Sequence, residues 1–178
     1  MAYKDNLTAE YVRSLLGYDM ETGVFTWKVR EDVPPEWNTR RAGDPPGYIT
    51  DKGYLSIGIN NSDYMGHRLA WLIVHGEWPS RELDHHNGNK SDNRIINLRI
   101  STQAQNTKNR SKGKNNTSGY KGVYYNKINR KWIAQITINY KVKYLGSFDT
   151  AEQAAQAYNK AALEYHGEFA KLNEIPIG

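Results

Sequence analysis

The sequence predicts a protein of the α+β class, in which short strands and a few helices are divided between two parts of the chain. Short segments of alternating apolar and polar residues, typical of half-buried strands, occur in both parts. Helical periodicity is confined to short stretches bounded by capping residues or glycines. A segment without any apolar residue, 107–118, separates the two parts and has the composition of a linker.

Residues 1–82 are predicted to contain two helices and several strands. Local patterns predict, in chain order, a capped helix at 8–16, strands at 24–29 and 53–59 on either side of a Pro- and Gly-rich loop at 34–47, and a helix at 67–75. Thr8 is a preferred capping residue for the first helix, and Gly17 and Gly76 are suited to end the two helices.

The part after the linker is predicted to form a three-stranded antiparallel sheet packed on one helix. Alternation places the strands at 122–125, 132–138 and 141–145, with a tight turn at Asn139–Tyr140. Thr150 and Gln153 have the spacing of a capping box, and the helix that follows has an alanine-rich face that can lie close against a sheet. Alternation assigns Trp132 to the face of the sheet that meets this helix.

Charge is distributed unevenly along the chain. The formal net charge is +5, but residues 107–146 contain ten lysines and arginines and no aspartate or glutamate. Such a block is the electrostatic pattern expected of a surface that binds a polyanion, and nucleic acid is the first candidate. The alternative is a basic linker that binds nothing.

Composition excludes several classes of site. With no cysteine, the chain has no disulfide partner, no Cys-ligated zinc and no thiol nucleophile. No apolar run approaches the roughly 18–20 residues that span a membrane, and the N-terminus lacks the apolar segment of a secretory signal. We therefore expect a protein of the cytoplasm that has no contact with a membrane.

Residues 83–106 combine side chains suited to phosphodiester hydrolysis. The segment is predicted to run as strand, polar loop, second short strand and helix, an order that can bring Asp84, His85 and Asn106 together. A carboxylate and an amide oxygen are hard ligands of the kind that Mg²⁺ binds. A neutral histidine can take a proton from attacking water near neutral pH.

The spacing of Asp84-His85, Asn97 and Asn106 resembles the motif of the HNH, or ββα-metal, endonucleases, and the preceding residues 64–79 are similar to those of phage homing nucleases in this group. The resemblance implies a ββα-metal nuclease core with an N-terminal mixed α/β extension. It implies that Asp84 and Asn106 hold one Mg²⁺ or Mn²⁺ ion and that His85 is the general base. Asn97 would hold the loop by hydrogen bonds to the backbone.

Two other histidines need separate interpretation. The role of His86 stays open, because in some HNH enzymes one of two neighbouring histidines binds the metal and the other acts as the general base. The register nevertheless favours His85 as the base. His67 is expected to pack on the inner face of its helix rather than to bind a ligand.

Residues 119–173 resemble the ethylene-response-factor, or Apetala-two type, DNA-binding domain, chiefly at 120–123, 131–136, 144–158 and 167–173. The resemblance implies a sheet that lies in the major groove of double-stranded DNA and a helix that supports its back. DNA contacts are expected from Lys108, Arg110, Lys112, Lys114, Lys121, Tyr124, Lys127, Arg130, Gln135, Thr137 and Tyr144.

The expected protein is a site-specific, divalent-metal-dependent endodeoxyribonuclease of homing type, acting in the bacterial or phage-infected host cytoplasm. Its expected domains are 1–106 (nuclease), 107–118 (basic linker) and 119–178 (DNA-binding domain). The alternative is a non-catalytic, sequence-specific DNA-binding regulator with a relic HNH motif. An RNA-binding protein would explain the basic block but not the metal-binding residue types. The sequence leaves open the target site, the oligomeric state and whether one or both strands are cut.

Overall fold

The computed structural model describes residues 5–113 and 115–176. The chain divides into two compact units, Met1–Thr102 and Gln103–Gly178. Each unit combines helices with small antiparallel sheets, which confirms the predicted α+β class. In the described ranges, none of the helices has the length and apolar character that a membrane crossing requires.

The first unit is built from short elements. Its helices and strands are α1 (Ala9–Leu15), β1 (Leu16–Tyr18), β2 (Phe25–Trp27), α2 (Pro35–Arg41), β3 (Tyr48–Ile49), β4 (Leu55–Ile59), β5 (Ser62–Met65), α3 (Gly66–His75), β6 (Glu82–His85) and β7 (Leu98–Ser101). The strands pair antiparallel as β1–β2, β3–β4–β5 and β6–β7.

One hydrophobic core joins the helices and strands of this unit. Its buried residues include Val12 of α1, Phe25 of β2, Ile57 of β4 and Leu69 of α3. Leu98, the first residue of β7, belongs to the same core. The β6–β7 hairpin is therefore attached to the core at the point where its two strands meet the connecting loop.

Both helices predicted in residues 1–82 are present, as α1 and α3, and the Thr8 hydroxyl accepts a hydrogen bond from the N–H of Tyr11 as a cap. Helix α2 was not predicted, since it lies inside the segment expected to be a loop. It begins at Pro35, and the first helical position tolerates proline because its missing N–H would have no partner there.

The second unit is a meander of three consecutive strands covered by one helix. Its elements are α4 (Gln103–Lys108), β8 (Val123–Asn126), β9 (Lys131–Ile138), β10 (Lys141–Phe148) and α5 (Ala151–His166). The sheet order is β10–β9–β8, with both pairs antiparallel. This is the predicted three-stranded sheet packed on a helix.

Local signals in the sequence produce this arrangement. The Thr150 hydroxyl accepts from the N–H of Gln153, and the Gln153 side chain accepts from the N–H of Thr150, which completes the predicted capping box. The β9–β10 turn has positive φ at Asn139 and Tyr140, at 48° and 64°, as a two-residue hairpin turn requires. Trp132 packs with the alanines of α5, as predicted.

Candidate active site and nucleic-acid interface

The β6–β7 hairpin carries both members of the Asp84–His85 pair. Asp84 lies opposite Arg99, and His85 lies opposite Leu98. Asp84 and His85 are only 8% and 4% exposed. Because successive side chains of a strand face opposite sides of the sheet, burial of both residues means that the hairpin is covered on both faces here.

Asp84 is held by an ion pair across the hairpin. The guanidinium of Arg99 donates from Nε at 2.9 Å and from Nη2 at 2.7 Å to the same oxygen, Oδ2 of Asp84. A carboxylate paired in this way is ionised, which is the form that can ligate a hard cation. Arg99 was not identified from the sequence, and the signal that would have found it is the hairpin register that places it opposite Asp84.

His85 lies in a cluster of rings. Its ring centroid is 5.1 Å from that of His67, edge to face, and 5.9 Å from that of Tyr54. Burial lowers the pKa of His85, whereas a hydrogen bond with Asn93 and the charges of Asp84 and Asp92 act in the opposite direction. The imidazole is therefore neutral at neutral pH and can accept a proton.

The two other histidines of interest have contrasting surroundings. His86 is exposed, and its backbone N–H donates to the carbonyl oxygen of Asn97 at 2.8 Å. His67 is 4% exposed, and its Nδ1 has no hydrogen-bond partner among the described residues. Burial, with the charges of His85 and Arg68, lowers the pKa of His67 to about 3. His67 is thus a buried packing residue, as expected, but its contact with His85 was not predicted.

Asn97 holds the loop that connects β6 to β7. Its Oδ1 accepts from the N–H of Asn87 at 3.0 Å, and its Nδ2 donates to the carbonyl oxygen of Asp92 at 2.8 Å. Asp92 is paired with Arg94, and this hydrogen-bonded pairing lowers the pKa of Asp92 to about 2. The loop beside Asp84 and His85 therefore has a defined shape.

Asn106 is half-buried on α4, which belongs to the second compact unit. In the part of the chain that the structure describes, no three His, Cys, Asp or Glu side chains are grouped as metal ligands. The expected donors are one carboxylate and one amide, and both present the hard oxygen atoms that Mg²⁺ and Mn²⁺ prefer. The chemistry of Asp84 and Asn106 therefore fits such an ion.

The face of the second unit's sheet that points away from α5 carries several of the expected DNA-binding side chains. Tyr144 lies opposite Gln135, and Tyr124 lies opposite Ile133. Since alternate residues share a face, Tyr124, Gln135, Thr137 and Tyr144 form one surface. Tyr124 and Tyr144 are 43% and 62% exposed. A sheet surface of this kind has the dimensions to enter a major groove.

Four of the expected basic contacts are exposed on connecting segments. Lys127 and Arg130 lie in the turn between β8 and β9, and Arg110 and Lys112 follow α4. Lys114 lies outside the described residues. The exposed members are positioned on loops, where long cationic side chains can follow a phosphate backbone.

Lys108 and Lys121 are placed differently, since both line a cavity of about 350 Å³ within the second unit. Nζ of Lys121 donates to the carbonyl oxygen of Lys108 at 2.6 Å. Burial, with the charge of Lys171, lowers the pKa of Lys121 to about 8. Lys121 is therefore half-buried beside α4 rather than on the exposed sheet surface.

Two family models match the chain. The model described as HNH endonuclease matches residues 64–108, and the model described as AP2 domain matches residues 118–168. These matches include the Asp84–Asn106 motif and the sheet with its helix, and they confirm both resemblances inferred from the sequence.

Relatives with known names support each part. A protein of Acanthamoeba polyphaga mimivirus named as an uncharacterized HNH endonuclease is 35% identical over 142 residues, 79% of this chain and 67% of that protein. Protein 3.8 of Escherichia phage T7 is 32% identical over 107 residues, 60% of this chain and 88% of that protein. An AP2-like ethylene-responsive transcription factor of Arabidopsis thaliana is 38% identical over 68 residues, 38% of this chain and 14% of that factor. No solved structure matches the chain. The chain therefore belongs to the HNH endonuclease family, and its C-terminal part is an AP2 domain.

Proposed function

We propose that the protein is a site-specific endodeoxyribonuclease of homing type that uses Mg²⁺ or Mn²⁺ to hydrolyse phosphodiester bonds of double-stranded DNA. The observation that carries this proposal is the pairing of an ionised Asp84 with a neutral, buried His85 at the end of β6. A nuclease of this kind needs both an oxygen ligand and a proton acceptor at one place.

The residues have separate roles in this mechanism. His85 accepts a proton from the attacking water, because its imidazole is neutral and its ring is held by Tyr54 and His67. Asp84 and Asn106 would hold the divalent ion, which when bound would stabilise the extra negative charge on the phosphate and on the leaving oxygen. Asn97 keeps the connecting loop in place through its bonds to Asn87 and Asp92.

The DNA target would be held mainly by the AP2 domain. In this proposal residues 1–106 are the nuclease domain, 107–118 the basic linker and 119–178 the DNA-binding domain. The exposed sheet surface of Tyr124, Gln135, Thr137 and Tyr144 reads bases in the major groove. The expected basic residues, Lys114 among them, bind phosphates. Lys121 contributes charge from its half-buried position. The protein acts in the cytoplasm of a bacterial or phage-infected cell.

The decisive experiment is incubation of plasmid DNA with the full chain, with and without Mg²⁺. The wild-type protein should convert supercoiled plasmid to nicked or linear product only with the ion. His85→Ala should lose about 10²–10⁴-fold of the cleavage rate and retain DNA affinity. His75→Ala is a matched control, because His75 is exposed at the end of α3.

His86→Ala tests the alternative register of the base. Loss of cleavage in His86→Ala but not in His85→Ala would transfer the role of base to His86. DNA binding by the wild type without cleavage in any divalent ion would instead favour a non-catalytic DNA-binding regulator.

A further inference from the structure

Lys90 is an exposed lysine whose ammonium group is nevertheless held at a defined place. It lies in the loop between β6 and β7, and its Nζ donates to the carbonyl oxygen of Lys52 at 3.1 Å. The same Nζ lies 4.8 Å from the centroid of the Tyr54 ring, over its face. Since a free lysine side chain samples many rotamers, two contacts of this kind reduce the entropy that it would lose on binding a ligand.

Lys90 is placed beside His85. The Tyr54 ring that supports Nζ of Lys90 also contacts the ring of His85, with 5.9 Å between the two ring centroids. Burial lowers the pKa of His85, and the charge of Lys90 acts in the same direction, as expected for a cation close to an imidazole. Lys90 and His85 therefore both contact the ring of Tyr54.

Lys90 also has an unpaired positive charge. Arg94 is paired with Asp92, and Arg99 is paired with Asp84. Among the residues that the structure describes, no carboxylate lies within ion-pair distance of Lys90. An ammonium group has three donors, and the carbonyl of Lys52 takes one of them. The remaining donors can bind an anion beside His85.

We propose that Lys90 is a further catalytic residue, which binds a non-bridging oxygen of the phosphodiester group under cleavage. This inference rests on the proposed nuclease function. In the hydrolysis, a water oxygen forms a bond to phosphorus, and the bond from phosphorus to the leaving sugar oxygen breaks with its electron pair going to that oxygen. The proton of the water passes to His85, and the leaving oxygen takes a proton from solvent.

The role of Lys90 follows from where charge develops. The phosphate oxygens gain negative charge as the water attacks, so a donor fixed beside them stabilises the transition state more than the bound substrate. Lys90 transfers no proton in this step. Its contribution is a positive charge that is already oriented by Lys52 and Tyr54 before DNA arrives.

The experiment compares Lys90→Ala and Lys90→Arg with Lys28→Ala in the full chain. Lys28→Ala is a matched control, because Lys28 is also an exposed lysine whose Nζ donates to a backbone carbonyl, that of Arg13. For each protein we would measure the single-turnover cleavage rate at saturating enzyme with Mg²⁺, the DNA dissociation constant with Ca²⁺ in place of Mg²⁺, and the Tm.

Lys90→Ala should lower the single-turnover rate about 100-fold, as removal of one donor to a developing oxyanion does. Its dissociation constant should stay within about 3-fold of the wild type, because one phosphate contact contributes little to total DNA affinity. Lys90→Arg should recover part of the rate, Lys28→Ala should match the wild type, and all Tm values should agree.

Two results would overturn the inference while leaving the nuclease function intact. One is a wild-type cleavage rate in Lys90→Ala. The other is a weaker dissociation constant with an unchanged rate at saturation, which would identify Lys90 as an ordinary surface cation. A wild-type protein that binds DNA but cuts none would overturn the proposed function and this inference together.

Discussion

The guanidinium of Arg99 donates two hydrogen bonds to a single carboxylate oxygen of Asp84, from the position directly opposite on the neighbouring strand. The side chains of Arg99 and Asp84 are 17% and 10% exposed. The pair therefore lies largely out of water, where an ion pair is screened less than on the surface. This arrangement fixes the orientation of the carboxylate that we assign to the metal.

Removing one charge of this pair should destabilise the first unit. Asp84→Asn removes the charge of the carboxylate that accepts two hydrogen bonds from the Arg99 guanidinium, and we expect a loss of about 2–3 kcal/mol in the free energy of unfolding. Urea denaturation measures this loss. Asp32→Asn is the matched control, since Asp32 also accepts two bonds from an arginine but its side chain is 62% exposed. It should change stability far less, and equal losses would contradict this account.

Asn97 provides a test of how the loop between β6 and β7 is held. Asn97→Ala removes the acceptor for the N–H of Asn87 and the donor for the carbonyl of Asp92, and both backbone groups lie in the connecting loop. We expect a loss of about 1–3 kcal/mol and faster hydrogen exchange at the Asn87 amide. Ser91→Ala, which removes only an exposed hydroxyl in the same loop, should leave that exchange rate unchanged.

Acid should destabilise the protein through His67. Its pKa in the folded chain is about 3, against about 6.5 for an unfolded histidine. Between these values the unfolded state binds a proton that the folded state excludes. The free energy of unfolding therefore falls by up to about 1.4 kcal/mol per pH unit as pH drops below 6.5, and this group has no effect above that pH.

His67→Gln isolates this contribution, because glutamine does not titrate. Urea denaturation between pH 7.5 and pH 4.5 should show a shallower decline in the variant than in the wild type. Parallel curves for the two proteins would mean that His67 takes up its proton in the folded state as well.

Gly122 should tolerate no side chain. Its φ is +75°, and a Cβ atom there would lie 2.2 Å from the ring of Tyr158 and 2.5 Å from the carbonyl oxygen of Gln135. Gly122→Ala should lower the stability of the second unit by more than about 3 kcal/mol, in thermal unfolding followed by circular dichroism. Gly119→Ala is the control, because Gly119 has a φ of +81° but open space around it. Its cost should stay near 1–2 kcal/mol.

Base reading and phosphate binding should be separable. Gln135→Ala removes a side chain from the exposed sheet surface, and it should change the preferred sequence selected from a random duplex pool while keeping the dependence of affinity on salt. Thr137→Val should behave in the same way. A variant with unchanged sequence preference would show that this surface does not read bases.

Replacement of Lys108, Arg110, Lys112 and Lys114 by serine should have the opposite effect. For the wild type we expect roughly 4–6 phosphate contacts and a slope of about −4 to −5 for the logarithm of affinity against log[salt]. The serine variant should have a less negative slope, and its affinity for the selected and the scrambled duplex should fall by the same factor. A wild-type slope in the variant would mean that the basic segment is a solvated tether.

The second unit was predictable because its signals are local. The capping box at Thr150 and Gln153, the turn at Asn139–Tyr140 and the alternation that buries Trp132 each depend on neighbouring residues. The pattern of the HNH motif likewise depends only on spacing. Its members Asp84 and His85 lie together on β6, and Asn97 bonds to the loop that follows them.

The surroundings of the motif were not predictable in the same way. The ion pair between Asp84 and Arg99 depends on strand register, and the contacts of His85 with Tyr54 and His67 depend on how α3 packs beside the hairpin. These contacts join residues far apart in the sequence. Periodicity identified His67 as a packing residue, but it carries no information on which ring His67 would meet.

The presence of Leu98 in the core of the first unit bears on how the chain folds during synthesis. That core also contains Val12 of α1, so it joins residues near the two ends of the unit and closes only when almost the whole unit has left the ribosome. Closing such long loops is entropically costly and slows folding, whereas the second unit pairs strands that follow one another directly. The nuclease part is therefore made before the AP2 domain but has the slower topology, whereas the AP2 domain needs only local pairing.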